Sequence, residues 1–150
     1  MPLDDKDRLL LNRLQEGLPL TAAPFAAVAE ELAMTEEEVL QRLLRLKEKG
    51  VIRRLGAVVE SRRLGCHSTL AALKVPEEDI EKAAEIINSF SEVTHNYLRS
   101  HDWNVWFTVT AASEERVAEI LKEIEARGKG WPLLNVPARK VFKIRAVFSL

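Results

Sequence analysis

Residues 92–111, EVTHNYLRSHDWNVWFTVTA, decide the fold. Two β-rich runs, Glu92–Arg99 and Trp103–Ala111, flank a short polar turn, which is the pattern of a β-hairpin. Upstream, Ser68–Val75 reads as a strand, followed by a helix that opens at Pro76-Glu77 and runs to about Phe90. Downstream, Ser113 with Arg116 begins a second helix that ends at Gly128 or Gly130. A last strand is expected at Val141–Phe148, where Phe142, Ile144, Ala146 and Phe148 alternate with Lys143 and Arg145. The order βαββαβ is the ferredoxin-like arrangement, an antiparallel sheet with both helices on one face. Its other face needs a partner or a ligand, and dimerisation is the simplest solution.

Before Gly50 the period is helical. Asp4 or Asp5 caps a first helix carrying Leu9, Leu10 and Leu14, which stops around Gly17. Pro24 suits the first turn of a second helix with Phe25, Val28, Ala29 and Leu32 on one stripe. Thr35 followed by Glu38 is a capping-box signature for a third, which carries Val39, Leu43 and Leu46 and ends at Gly50. Two helices joined across Ala33–Glu36 form a helix-turn-helix. The stretch Val51–Val59 reads as a strand or wing. The expected class is therefore α+β: a winged helix-turn-helix over 1–60, then a ferredoxin-like ligand-binding and dimerisation domain over 61–150.

Composition excludes several classes. The 150 residues are 47% hydrophobic and 30% charged, so a packed core is expected rather than disorder. No apolar run approaches the roughly 20 residues that span a bilayer. The charged start, Met1–Asp7, lacks an apolar signal core, so the cytoplasm is the expected compartment. One cysteine, Cys66, permits neither an internal disulfide nor a protein-held iron–sulfur cluster.

The charge distribution speaks against DNA. Lysine and arginine number 22 against 23 acidic residues. Residues 1–50 hold 7 basic and 10 acidic side chains, a balance of −3, whereas 51–150 hold 15 and 13, a balance of +2. The turn that approaches base edges in a helix-turn-helix is here Glu36-Glu37-Glu38. These carboxylates favour the positive end of the helix dipole and oppose phosphate. Arg42, Arg45 and Lys47 lie deeper in that helix.

Residues 95–106 concentrate the unusual side chains. They hold His95 and His101 of three histidines, Trp103 and Trp106 of three tryptophans, and the single tyrosine, Tyr97. Alternation puts His95, Tyr97 and Arg99 on one strand face, and Asn104 with Trp106 on one face of the next. An imidazole, a phenol and a guanidinium in line suit a large aromatic anion. An edge hairpin with a solvated face and ordinary core aromatics accounts for any one of these residues; their density favours a ligand site. His95 and His101 lack zinc-site spacing, and neither G-x-S-x-G nor a phosphate-binding glycine loop occurs. His67 marks a strand start. Basic clusters stand at Arg53-Arg54, at Arg62-Arg63, and at Arg139, Lys140, Lys143 and Arg145.

The N-terminal half, from LDDKDRLLLNRLQE through RLKEKGVIRRLGAVVESRRLG, resembles the Lrp/AsnC transcription regulators. The βαββαβ half resembles their effector-binding and dimerising domain. GVIRRLGAVV, VTHNYLR, WNVWFTV and PARKVFKI are closer still to the sirohaem decarboxylases, relatives of Lrp/AsnC that act in alternative haem and haem d1 synthesis. Regulators of that family carry a glycine and an aspartate in the turn around the effector. Here His101-Asp102-Trp103-Asn104 occupies the turn, which weakens an amino-acid-sensor reading.

The resemblance implies removal of the C12 and C18 acetate carboxyl groups of sirohaem, giving didecarboxysirohaem and carbon dioxide. It also implies a paralogous partner subunit, separate or fused, or a second copy of this chain. No added cofactor is implied, because the conjugated macrocycle is itself an electron sink and the substrate carries its own iron. His95 and His101 are candidates for proton donor or axial contact to that iron, and Tyr97 for a supporting hydrogen bond. Arg54 and Arg99 are candidate carboxylate clamps, with Arg53 and Lys143 behind them; Asn96, Asn104 and Trp106 complete the substrate-binding set. No protein-held metal and no membrane partner are expected. The alternatives are an Lrp/AsnC-type regulator that binds DNA and a small effector, and a non-catalytic porphyrin carrier.

Overall fold

The computed structural model describes residues 2–143, 147–148 and 150, in two compact units: Met1–Ala57 with Lys143–Leu150, and Val58–Phe142.

The first unit is built from three capped helices, α1 (Asp5–Gln15), α2 (Pro24–Glu31) and α3 (Glu36–Glu48). Asp4 caps α1 by accepting from the Asp7 backbone at 2.7 Å, and Asp7 returns the bond at 3.3 Å. Thr35 caps α3 by accepting from Glu38 N at 3.1 Å. The return half of the expected capping box is absent: Glu38 spends its carboxylate on Lys6 (2.9 Å) and Arg42 (3.1 Å). Leu10, Val28, Ala29, Val39 and Leu43 form the buried centre, closed by Phe25, Leu32 and Ile52. Gly50 sits at φ +72°, where a side chain is strained, and lets Val51 and Ile52 turn back onto the Leu46 carbonyl.

The expected wing is not formed. Val51–Glu60 contains no strand, and Val51, Leu55, Val58 and Val59 are exposed. A strand needs a ladder partner, and this stretch has none among the described residues.

The second unit runs β1 (His67–Leu73), a 3-10 turn (Glu77–Asp79), α4 (Ile80–Asn88), β2 (Val93–Leu98), β3 (Val105–Ala111), α5 (Glu114–Arg127) and β4 (Leu133–Pro137). The strands make one antiparallel sheet in the order β2-β3-β1-β4. Ala71 and Leu73 of β1 and Val105, Phe107 and Val109 of β3 bury against Ile86 and Ile87 of α4 and Ile120 and Ile124 of α5.

The last strand lies elsewhere than the alternation at Val141–Phe148 suggests. Val141–Lys143, Val147 and Phe148 are in no strand, Phe142 is 86% exposed, and residues 144–146 lie outside the described residues. β4 pairs instead from Leu133↔Leu73 to Pro137↔Thr69. The short connection Gly128–Pro132 leads straight from α5 to this edge, and Trp131 on it joins the core. Phe148 belongs to the first unit, where its backbone exchanges hydrogen bonds with the Gln15 side chain at 2.7 and 2.9 Å.

Candidate functional site

Alternation along β3 sorts the sheet into two faces. Val105, Phe107, Val109 and Ala111 point to the helices; Trp106, Thr108 and Thr110 point away from them. The register carries this sorting across the sheet. Tyr97, Trp106, Ala72 and Leu134 form one row on the helix-free face, and His95, Thr108, Leu70 and Val136 form the next. A register shift between Val93 and His95 is what brings His95 onto this face.

The His95 and Tyr97 rings stack with centroids 6.0 Å apart and planes 25° from parallel. His95 Nδ1 lies 3.0 Å from Thr94 Oγ1. The Trp106 indole is fixed by donating to the Trp103 carbonyl at 2.6 Å. Tyr97, Leu70 and Val136 are exposed. Within this unit the array is a largely apolar platform with one imidazole and one phenol, suited to an aromatic ligand.

The structure separates the remaining candidates. Asn96 pairs with Phe107 on the helix side, where its amide donates to Asn88 Oδ1 at 3.0 Å. Asn104 stands immediately before β3. Its amide clamps the Val75 backbone, accepting from N at 3.0 Å and donating to O at 2.7 Å. Both asparagine side chains are thus hydrogen-bonded within the fold. Arg99 is exposed just past β2, and its backbone N–H donates to the Asn104 carbonyl at 2.7 Å. Arg53, Arg54 and Lys143 are exposed residues of the first unit.

His101 stands in the β2–β3 turn, away from the His95 row. Its Nδ1 accepts from the Trp103 backbone N–H at 3.1 Å. With Lys74, Pro76, Asp102, Trp131 and Pro132 it lines a cavity of about 590 Å³. Lys74 Nζ lies 2.9 Å from Asp102 Oδ2 and, by hydrogen bond and charge, holds that carboxyl below its usual range; His101 adds to the effect. Sequence reasoning missed Lys74. Its only signal is the continuation of the Leu70, Ala72 alternation. A second cavity, about 610 Å³, lies beside the start of α5, lined by Arg62, Cys66, His67, Glu114 and Asn135. His67 opens β1, with its Nδ1 3.4 Å from Glu114. Among the described residues no three histidine, cysteine or acidic side chains are grouped to hold a metal.

Comparison with known proteins settles the kinship. Residues 63–143 match the AsnC-like ligand binding domain, and residues 7–53 match the siroheme decarboxylase NirDL-like HTH domain. The siroheme decarboxylase alpha subunit of Desulfovibrio desulfuricans is 45% identical over 99% of this chain and 85% of its own length. The siroheme decarboxylase NirD subunit of Pseudomonas aeruginosa is 43% identical over 99% of this chain and 97% of its own. The chain belongs to the siroheme decarboxylase family. The crystal structure of the siroheme decarboxylase NirDL is 30% identical, with a TM-score of 0.73, over 97% of this chain and 48% of that one. A Neisseria meningitidis transcriptional regulator bound to L-Met superposes with a TM-score of 0.82 at 16% identity, a likeness of fold alone.

Membership of a decarboxylase family fits the state of the helix-turn-helix. Arg42 donates to Asp4 (2.8 Å), Asp7 (2.7 Å) and Glu38 (3.1 Å), and Arg45 donates to Asp7 at 2.5 and 2.7 Å. Two of the cations that a reading helix offers to phosphate, Arg42 and Arg45, are here tied to carboxylates. Glu36 and Glu37 stand exposed in front of them.

Proposed function

We propose that this chain is a subunit of a sirohaem decarboxylase that removes the C12 and C18 acetate carboxyl groups, giving didecarboxysirohaem and carbon dioxide. The observation that carries the reading is the platform of stacked His95 and Tyr97, paired to the anchored Trp106, on the helix-free sheet face. The macrocycle plane lies against Tyr97, Trp106, Leu70 and Val136, and its carboxylates meet a cation of this unit, Arg99, at the rim. Cleavage of the bond to CO₂ leaves an electron pair on the side-chain carbon. The conjugated ring delocalises that pair, and His95 delivers the proton that makes the methyl group. His101 is the second candidate for that proton, and either imidazole is a candidate axial contact to the substrate iron.

The substrate brings its own iron and electron sink, so no further cofactor is required. A paralogous subunit, or a second copy, closes over the macrocycle on this same helix-free face. The site of action is the cytoplasm; no helix among the described residues is long and apolar enough to cross a membrane. A DNA-binding role is disfavoured by the carboxylate-tied α3.

The test is anaerobic incubation of the chain with sirohaem, with and without a paralogous subunit, followed by product mass. Two successive losses of CO₂ are expected. His95→Ala lowers turnover by about 10²- to 10⁴-fold while sirohaem still binds, whereas Arg99→Ala mainly weakens apparent affinity. Full turnover in both the His95→Ala and His101→Ala variants removes this chain's histidines from the chemistry.

A further inference from the structure

The helix-free face does not stop at the Tyr97–Trp106–Ala72 row. Lys74 follows Ala72 by two residues, and its backbone N–H donates to the Pro132 carbonyl at 3.0 Å, which prolongs the β1–β4 ladder beyond Leu73. Two strand residues advance roughly 6.5–7 Å. A plate resting on Tyr97 and Trp106 therefore brings its peripheral groups over Lys74. The Lys74 side chain lines the same cavity as His101, and its carboxylate partner among the described residues is Asp102.

That ion pair is open to water: Lys74 is 53% exposed and Asp102 76%. Exposed pairs of this kind contribute little stability and exchange partners readily. Asp102 also presents the same chemical group as a peripheral acetate or propionate of the substrate. A lysine suits such an exchange, because its ammonium is a compact point charge on a flexible stem, indifferent to the orientation of the carboxylate it meets.

We propose that Lys74 is a carboxylate-binding residue of the substrate site, and that Asp102 occupies it as an internal competitor until a substrate carboxylate takes its place. This rests on the reading of the sheet face as the macrocycle platform. The ligand class is a polycarboxylated tetrapyrrole: a ring with carboxylates on every side sets one over Lys74 in every seating of the plate, whereas a ring with two on a single edge does so in few of them.

The experiment is an absorbance titration of the full chain, with its partner subunit, using iron uroporphyrin III (eight carboxylates) and protohaem (two) as probes. Lys74→Ala is expected to weaken iron uroporphyrin III about tenfold and leave protohaem nearly unchanged. Asp102→Asn is expected to tighten iron uroporphyrin III about two- to fivefold, and to do nothing in the Lys74→Ala background. Equal binding of iron uroporphyrin III by wild type and Lys74→Ala overturns the proposal and leaves the platform standing. So does weaker binding by Asp102→Asn, or an equal loss for both probes. If wild type binds neither probe, the platform reading falls and takes the proposal with it.

Discussion

Among the described residues Asp7 is the only acidic one with a fully buried side chain, with 1% of its surface exposed, and it holds α3 to α1. Its Oδ1 accepts from Arg42 at 2.7 Å and from Arg45 at 2.5 Å, and its Oδ2 accepts from Arg45 at 2.7 Å. Asp7→Asn keeps the shape and removes the charge. Breaking a buried pair by deleting one charge costs about 3–5 kcal/mol. Two features reduce that here: Arg42 keeps Asp4 and Glu38, and Arg45, 42% exposed, turns to water. About 2 kcal/mol remains. With a urea slope of about 1–2 kcal/mol/M, the midpoint falls by about 1–2 M. Far-UV circular dichroism follows the helices of both units, whereas Trp103, Trp106 and Trp131 report only the second. Asp5→Asn, at an exposed neighbour in the same helical turn, is the control. A dichroism midpoint within about 0.3 M of that control refutes the reasoning.

Glu36→Lys with Glu37→Lys should raise non-specific affinity for duplex DNA above the roughly 10⁻⁴ to 10⁻⁶ M range and steepen its salt dependence; sequence-specific nanomolar binding by the unmodified chain counts against the decarboxylase reading. Asn104→Ala leaves the Val75 N–H and C=O unpaired and should cost about 2–4 kcal/mol in a urea titration followed by tryptophan fluorescence, whereas a substrate contact would leave stability unchanged. Asp4, Glu31 and Glu38 are held below the usual carboxylate range, chiefly by hydrogen bonds from Arg42, Arg13 and Lys6 respectively. A depressed folded pKa means stability that is present above the unfolded value and lost as pH falls through the folded one. The melting temperature should therefore hold from pH 7 to 5 and decline below about pH 4, and a rise on acidification is the contrary result.

Most of the architecture is local, and the sequence by itself determined it. Asp4, Thr35 and Ser113 cap their helices because a short polar side chain satisfies N–H groups within three residues of itself. The β2–β3 hairpin, and the common side of His95 and Tyr97, follow from period-two alternation, whereas the register shift between Val93 and His95 decides which face that side is. Pairing partners are not local. The Val141–Phe148 pattern alternates better than LLNVP, yet β4 forms at Leu133–Pro137, because that segment reaches the free edge of β1 and seats Leu133 against the core. The same limit governs the site. Alternation put Asn104 beside Trp106, but only the folded chain brings Val75 within reach of its amide. Sequence reasoning passed over Lys74, and only the tertiary structure sets it against Asp102. Caps and periods are short-range geometry that any stretch of chain displays on its own. The choice of edge and ion-pair partner depends on which groups the closed sheet leaves unpaired, and that is decided only when the chain is folded.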